Sequence, residues 1–295
     1  MRRRIPLMMV AALLTLVLSP LAAGGQQPPG PTTRHQFRAA GLPAAGPMEV
    51  VTWVLDFAPG AATPPHTHPG LLLATVLEGE TTFSRAGTDK VYRPGESLIE
   101  VPGEVGMARN TGAGRARTMI SLVAPKGAPP STPQPGGPSP APPATTNVYL
   151  NRTDAIIPPG PYEVVQVVQD YAPGAWGPPH THPGQVVITV IAGAMTLRSG
   201  TTETVYQTGE SWVEVPGGPV QQGGNAGAVP ATLMITFLLP QGAPLSIPVA
   251  AMPGLPATGS GGERRLTPSL WLLVLAGTGL GAGGWVGWRR LLRAR

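Results

Sequence analysis

The sequence predicts an all-β protein of two tandem barrels, with an N-terminal signal helix and a C-terminal transmembrane helix at its ends. Two observations predict the barrels. First, the chain repeats itself at an offset of 114 positions, which indicates a tandem duplication. Second, each repeat contains short runs of β-branched and apolar residues that proline and glycine interrupt, without a sustained helical period. Many short strands without helices indicate a β-sandwich or a β-barrel.

The N-terminus has the features of a secretory signal, which we place at residues 1–23. Three arginines at positions 2–4 precede an apolar run over residues 7–18, and small residues follow it. This order predicts export, with cleavage near Ala23 or Gly24. An uncleaved membrane anchor is the alternative, because the apolar run is long.

The repeats are predicted at residues 38–129 and 152–244, with strands at matching positions. The predicted strands share a high content of Val, Ile, Leu, Thr and aromatic residues. In the first repeat they cover residues 50–57, 71–77, 80–84, 97–101 and 118–123. In the second repeat they cover residues 164–171, 185–191, 195–198, 211–215 and 232–239. Each repeat is long enough to bury a core of its own.

Four of the chain's five histidines lie in a seven-residue segment, Pro-Pro-His-Thr-His-Pro-Gly, that occurs twice. The first copy contains His66 and His68, and the second contains His180 and His182. In an extended strand, residues i and i+2 point to the same face, so each pair presents two imidazoles side by side. Such a pair could bind a metal ion. The alternative is a polar, exposed start of a strand.

Two linkers separate the predicted domains. Residues 130–147, which are rich in proline, join the two repeats, and residues 245–268 connect the second repeat to the C-terminal segment. The proline-rich composition favours extended conformations and cannot form a core. We interpret the linkers as spacers, with a proline-rich ligand for an adaptor domain as the alternative for the first.

The C-terminal region predicts attachment to the cell envelope. Residues 269–288 are uncharged and long enough to span a bilayer, and the arginines of residues 289–295 favour a cytoplasmic tail. The sequence Leu-Pro-Ala-Thr-Gly upstream resembles the sorting signal that a sortase cleaves, here between Thr258 and Gly259. Nine residues separate this motif from the apolar segment, more than in the signals it resembles. The helix could therefore also remain as a membrane anchor.

The charge of the central part argues against nucleic acid as a partner. The chain has 20 Lys and Arg and 15 Asp and Glu residues, but seven of the arginines lie in the two terminal segments. The remaining 13 basic residues are fewer than the acidic ones, whereas a nucleic-acid surface must neutralise phosphates. The chain has no cysteine, which excludes disulfides and cysteine metal sites.

Each repeat resembles a cupin, a small jelly-roll barrel. The first cupin motif is glycine, five residues, His-x-His, three or four residues, glutamate, six residues, glycine. The chain matches its glycines and histidines twice, with Gly60, His66, His68 and Gly79, and with Gly174, His180, His182 and Gly193. The resemblance implies two jelly-roll barrels that pack together like the halves of a dimer.

Two ligand positions of the cupin motifs carry other residues in this chain. The glutamate position holds Leu72 in the first repeat and Val186 in the second. The second motif would supply a third histidine, but this position falls on Gly106 in the first repeat and on Val220 or Gln221 in the second. The three histidines and one carboxylate of the resembling family are therefore only half present.

The resemblance implies one divalent transition metal ion in each domain, bound by the histidine pair. Glu100 and Glu214, at matching positions, could supply the missing carboxylates, and Gln221 is a further candidate ligand. The sequence favours outward-facing positions for both glutamates, because neither copy fixes which side of the strand faces the interior. Two neutral imidazoles alone would bind a dication weakly.

Three functions remain open on the sequence. The first is an exported, envelope-anchored binding module for a small molecule or a metal ion. The second, implied by the resemblance to quercetinase-like cupins, is a metal-dependent oxygenase in which a glutamate serves as third ligand or base. The third is a structural surface protein with vestigial sites.

Overall fold

The computed structural model describes residues 29–137 and 142–250. This part of the chain contains 20 strands and no helix, which confirms the predicted all-β class. The signal segment, the Leu-Pro-Ala-Thr-Gly motif and the apolar segment at residues 269–288 lie outside the described residues. Within the described ranges, no helix has the length and apolarity needed to cross a membrane.

The strands follow one another in the same order in the two repeats. The first ten are β1 (Thr32–Ala40), β2 (Met48–Phe57), β3 (His66–Thr67), β4 (Leu71–Glu78), β5 (Thr81–Arg85), β6 (Thr88–Tyr92), β7 (Ser97–Glu100), β8 (Gly106–Arg109), β9 (Ala116–Pro125) and β10 (Thr132–Pro133). The second ten are β11 (Thr146–Asp154), β12 (Tyr162–Tyr171), β13 (His180–Thr181), β14 (Gln185–Ala192), β15 (Ala194–Ser199), β16 (Thr202–Gln207), β17 (Ser211–Glu214), β18 (Gln221–Gly224), β19 (Ala231–Pro240) and β20 (Ile247–Pro248). All ten strands predicted from the sequence are present, with ends that differ by at most two residues.

Four five-stranded antiparallel sheets form the two barrels. The first barrel consists of the sheets β11-β2-β9-β4-β7 and β10-β3-β8-β5-β6. The second consists of the sheets β1-β12-β19-β14-β17 and β16-β15-β18-β13-β20. Corresponding strands of the two repeats occupy corresponding places, as expected from a duplication.

In each barrel, the outer strand of one sheet comes from the other repeat. β1 pairs with β12 of the second barrel, and β11 pairs with β2 of the first. Two matching ion pairs accompany this exchange: Arg38 contacts Glu163 at 2.6 Å, and Arg152 contacts Glu49 at 2.6 Å. The pairing uses main-chain groups, so it needs few apolar side chains. Main-chain hydrogen bonds therefore join the barrels, in addition to the linker.

Alternating side chains of the strands fill the interior of each barrel. In β2, Val51, Trp53 and Leu55 are spaced two residues apart, and all three are buried in the first core. The matching positions of β12 place Val165 and Val167 in the core of the second barrel. Burial of this apolar surface is the main favourable contribution to the stability of each barrel.

The opposite face of the same strands forms the contact between the barrels. Val50 and Leu73 of the first barrel lie in one buried cluster with Val164 and Val187 of the second. Buried Gln166 of the second barrel also donates a hydrogen bond to the main-chain carbonyl of Leu73, at 3.0 Å. The expectation that the two barrels pack against each other is confirmed.

Two matching glycines form the turns by which the chain passes from one sheet of a barrel to the other. Gly79 follows β4 with a φ of 66°, and Gly193 follows β14 with a φ of 72°. A Cβ atom would lie 2.5 Å from the carbonyl oxygen of Arg115 at the first turn, and 2.5 Å from that of Pro230 at the second. Both the backbone conformation and the close approach require glycine.

Candidate metal centre

The first histidine pair lies in and directly after the short strand β3. His66 belongs to the strand and His68 follows its end, so both rings lie on one side, as the i, i+2 spacing predicts. The ring centroids are 4.7 Å apart and the rings are nearly perpendicular. The two Nε2 atoms are 3.1 Å apart, and both side chains are buried.

Main-chain carbonyl groups fix the tautomer of both imidazole rings. Nδ1 of His66 lies 2.9 Å from the carbonyl oxygen of Pro64, and Nδ1 of His68 lies 2.7 Å from that of Pro130. A carbonyl oxygen only accepts, so each Nδ1 carries a hydrogen and each Nε2 presents a lone pair when the ring is neutral. Burial lowers the pKa of His66, and it lowers the pKa of His68 to about 4. Both rings are therefore neutral at pH 7, as metal ligands must be.

Leu72 on β4 occupies the position where the cupin motif has glutamate. Glu100 on the neighbouring strand β7 lies directly opposite Leu72. Directly opposed side chains share one face of a sheet, so the neighbouring strand supplies the carboxylate that Leu72 lacks. Glu214 lies opposite Val186 in the same way, and both glutamates are buried. The expectation that they face outward is wrong. Their direction depends on the register between two strands, which the sequence does not reveal.

The carboxylate of Glu100 lacks a hydrogen-bond donor at one of its oxygens. Among the described residues, none donates a hydrogen bond to Oε2, which is buried and lies 3.7 Å from Nε2 of His68. Burial raises the pKa of Glu100 to about 7. A buried carboxylate without a partner is unfavourable, and a cation beside it would relieve this cost.

Three ligand atoms converge at this point, one each from His66, His68 and Glu100, all within 4.8 Å of one another. Without a cation, two nitrogen lone pairs 3.1 Å apart face each other beside a carboxylate oxygen, which is electrostatically unfavourable. Two ligands at right angles, each about 2.1 Å from an octahedral ion, would lie about 3.0 Å apart. The donor set therefore fits a divalent metal ion in charge, ligand type and spacing.

The second barrel repeats this arrangement with His180, His182 and Glu214, whose ligand atoms also lie within 4.8 Å of one another. Nδ1 of His180 lies 2.9 Å from the carbonyl oxygen of Pro178, and Nδ1 of His182 lies 2.6 Å from that of Leu245. Nε2 of His182 lies 2.9 Å from Oε2 of Glu214, and Nε2 of His180 lies 3.9 Å from it. The 2.9 Å distance suits either a shared proton or a common metal ion.

Two neighbours hold the carboxylate of Glu214, unlike its counterpart in the first barrel. Nε1 of Trp212 donates a hydrogen bond to Oε1 at 2.9 Å. The amide nitrogen of Gln221, in the orientation that satisfies its hydrogen bonds, lies 2.8 Å from Oε1 and 2.7 Å from Oε2. Burial acts to raise the pKa of Glu214, but hydrogen bonds from His182 and Trp212 and the charges of the histidines outweigh it. The pKa of Glu214 is therefore lowered.

Strand pairing identifies the residues that replace the histidine of the second cupin motif. Gly106 on β8 lies opposite His66, and Gln221 on β18 lies opposite His180. Gln221, rather than Val220, thus occupies the histidine position in the second barrel. Its amide lies against the carboxylate of the site, so Gln221 contacts a candidate ligand.

Phe83 takes the space that a histidine would need in the first barrel. A Cβ atom at position 106 would lie 2.3 Å from Cζ of Phe83 and 2.9 Å from Oε2 of Glu100. Phe83 and Trp212 were not predicted from the sequence as parts of the sites. The signal for Trp212 was present, because the matching position of the first repeat holds Leu98 and only one copy carries a donor there.

An apolar cavity opens beside each group of ligands. The cavity of the first barrel has a volume of about 200 Å³ and is lined by residues that include Trp53, Phe57 and Ile120. The cavity of the second barrel has a volume of about 160 Å³, and its lining includes Tyr171 and Trp212. Both cavities have room for a small organic molecule next to the ligand atoms.

Comparisons with known proteins agree with this architecture. Residues 53–123 and 167–237 match the cupin domain family. A germin-like protein from rice, Oryza sativa subsp. japonica, is 30% identical over 118 residues. The match covers 36% of this chain and 52% of the rice protein, so the chain spans about half the length of this relative.

Solved structures that this chain resembles include a plant and a bacterial protein. The vicilin from Solanum melongena matches with a TM-score of 0.53 and 11% identity, over 69% of this chain and 77% of vicilin. A mutant oxalate decarboxylase from Bacillus subtilis matches with a TM-score of 0.47 and 13% identity, over 68% of this chain and 71% of that protein. The vicilin match supports the fold alone. Each of the two matched segments lies in one of the two barrels, so the chain contains two cupin domains in tandem.

Proposed function

We propose that the protein is a metal-dependent binding module for a small molecule, with one divalent transition metal ion in each cupin domain. The strongest support is the convergence, in the first barrel, of two neutral Nε2 atoms and a buried carboxylate oxygen that lacks a donor. The ligands would be the two groups of converging side chains: His66, His68 and Glu100, and His180, His182 and Glu214.

The donor set indicates which ions would bind. Two imidazoles and one carboxylate suit first-row transition ions such as Mn(II), Fe(II), Co(II) and Zn(II). Three protein ligands leave coordination positions open for water or for a bound molecule. In each barrel an apolar cavity lies beside the ligands, so a molecule in the cavity could reach these positions.

Metal content of the purified protein tests this proposal. After exposure to excess metal ion and removal of unbound ion, we expect about two equivalents for the unaltered protein. The double variant His66→Ala with His68→Ala should lose about one equivalent, and His180→Ala with His182→Ala should lose the other.

The fifth histidine provides a matched control. His35 is half-buried and lies outside both groups, with Nε2 2.9 Å from the hydroxyl of Ser97. The variant His35→Ala should therefore keep about two equivalents of metal. An unaltered protein that takes up less than about a tenth of an equivalent would contradict the proposal and favour a structural role.

The same ligand set supports a second candidate function, a metal-dependent oxygenase. Two histidines and one carboxylate with open positions form the ligand set of non-haem Fe(II) oxygenases. An Fe(II) ion held in this way would supply redox chemistry with O₂. Oxygen uptake by the Fe(II)-loaded protein with small aromatic compounds tests this function. Uptake that requires both Fe(II) and Glu100 would favour an oxygenase, and no uptake would favour a binding module.

We also propose that the protein is exported and held at the cell envelope. The support is the sequence alone, in which a signal-like segment at residues 1–23 and an apolar segment at residues 269–288 flank the cupin domains. Cleavage by a sortase between Thr258 and Gly259, or retention of the apolar segment in the membrane, would each tether both domains outside the cell.

A further inference from the structure

The walls of the first cavity are mostly apolar. Trp53, Leu55, Phe57, Ala74 and Ile120 line the cavity beside the metal-ligand group, and all are buried. Apolar walls favour an apolar ligand, because water returns to bulk solvent when such a molecule enters.

Three threonines in the walls already have hydrogen-bond partners. The hydroxyls of Thr81 and Thr118 lie 3.2 Å apart and bond to each other. The hydroxyl of Thr63 accepts a hydrogen bond from the main-chain N–H of Ala108, at 3.0 Å. In the described part of the chain, the residues that line this cavity include no lysine or arginine. The lining also includes Glu96, Ser131, Thr145 and Asn147, which are exposed or only half-buried. The metal-ligand group is therefore the principal buried polar feature that a bound molecule would meet.

The charge of the site limits the charge of the ligand. Two neutral imidazoles and the carboxylate of Glu100 would leave a net charge of about +1 on a bound divalent ion. A ligand with one negative charge would neutralise this. A dianion would bring an excess negative charge into an apolar cavity without a second cation, which is unfavourable.

The volume limits the size of the ligand. An apolar cavity of about 150 Å³ in another protein holds one benzene molecule. The first cavity, at about 200 Å³, therefore has room for one six-membered ring with a small substituent.

From these observations we propose that the first barrel binds a largely apolar molecule about the size of one aromatic ring, with a single polar group that carries at most one negative charge. The polar group faces His66, His68 and Glu100, and the ring lies among the apolar walls. This inference rests on the proposed metal-binding function and adds the class of ligand.

The test uses the metal-loaded protein with the changes His180→Ala and His182→Ala, so that only the first site holds metal. Calorimetric titration compares phenol and benzoate with phthalate, which has the same ring and two carboxylates. Phenol and benzoate should bind, and phthalate should bind at least about tenfold more weakly. Equal or tighter binding of phthalate would overturn the inference.

A cavity-filling variant locates the binding. The second barrel has Ile188 where the first has Ala74, so Ala74→Ile introduces a residue that this fold already accommodates. It should weaken phenol binding at least about tenfold, because the added methylenes occupy the cavity, and it should leave metal content unchanged. Unchanged phenol affinity in this variant would place the ligand elsewhere and overturn the inference.

Metal content measured on the same samples separates the two proposals. A full equivalent of metal without binding of phenol or benzoate would overturn the ligand class and leave the metal-binding function standing. Phenol binding to a protein that takes up no metal would overturn the metal-binding function.

Discussion

Trp212 donates a hydrogen bond to the carboxylate of Glu214, two residues further along the same strand, at 2.9 Å. The first barrel has Leu98 at the matching position, and among the described residues none donates a hydrogen bond to Oε2 of Glu100. The two sites therefore have the same types of ligand, two histidines and one glutamate, and they differ in the groups that orient the glutamate carboxylate.

Loss of the indole donor should weaken metal binding in the second barrel. In a protein with His66→Ala and His68→Ala, the change Trp212→Phe should raise the Kd for metal roughly tenfold, because the carboxylate loses a hydrogen bond that orients it. Metal titration measures this. The same change in a protein with His180→Ala and His182→Ala should leave the first site unaffected. A lower metal affinity of the first site in this variant would indicate general damage to the fold.

The two glutamates should have opposite effects on the stability of the metal-free protein. The pKa of Glu100 is raised to about 7, so its favourable contribution is present below the unfolded-state pKa of about 4.5 and is lost as pH rises to about 7. At about pH 8, Glu100→Gln should therefore raise the free energy of unfolding by about 1–3 kcal/mol, and at about pH 4 it should change little.

Glu214→Gln is the matched control. The pKa of Glu214 is lowered, so its contribution is present above about 4.5 and is lost as pH falls through the folded-state pKa. This variant should unfold more easily than the unaltered protein at about pH 8. Denaturant unfolding at both pH values measures the two effects, and changes of the same sign at about pH 8 would contradict the difference between the sites.

Metal binding should depend on pH differently in the two barrels. As pH falls below about 7, the carboxyl of Glu100 takes up a proton and the first site should lose affinity. In the second site the pKa of Glu214 is lowered, so its carboxylate stays ionised over this range, and affinity should fall there only where protons compete for the histidines. Metal titrations of the two single-site proteins across this range measure the difference. Parallel loss of affinity in both would contradict it.

A third histidine should be accepted at one site and rejected at the other. Gln221→His in the second barrel should add a ligand and lower the Kd for metal roughly tenfold, because Gln221 already reaches the carboxylate of the site. Gly106→His in the first barrel should lower the thermal stability instead, because a Cβ atom there would lie 2.3 Å from Phe83. Metal titration and thermal unfolding of both variants check this pair of outcomes.

The proposed topology predicts a pattern of protease sensitivity in intact cells. Added protease should degrade both cupin domains and spare the last residues of the chain, because the arginines of residues 289–295 favour the cytoplasmic side. Mass spectrometry of the C-terminal peptide would then distinguish cleavage after Thr258 from a retained helix. A cytosolic pool that still contains Met1 would contradict export.

The features that the sequence predicts well depend on residues close together in the chain. The side-by-side rings of His66 and His68 follow from their spacing of two in an extended segment. The ten predicted strands follow from local composition, and the outline of the barrels follows from the cupin motifs. Each of these conclusions requires only a short stretch of sequence.

The features that were missed depend on pairing between distant segments. Glu100 faces the interior because it lies opposite Leu72, and nothing near Glu100 in the sequence fixes this register. β1 and β11 were not predicted, because they are partly exposed and are held largely by main-chain hydrogen bonds to the other repeat. The choice between Val220 and Gln221 for the histidine position was likewise resolved only by the pairing of Gln221 with His180.

The exchanged strands also mean that neither cavity is formed by one repeat alone. β11 of the second repeat brings Asn147 and Leu150 to the wall of the first cavity, and Pro31, just before β1 of the first repeat, lines the second. A chain with a single repeat would need a second molecule to complete the wall of its cavity. The fraction of complete cavities would then fall on dilution. Because both repeats belong to one chain, each cavity is complete in every molecule at any protein concentration.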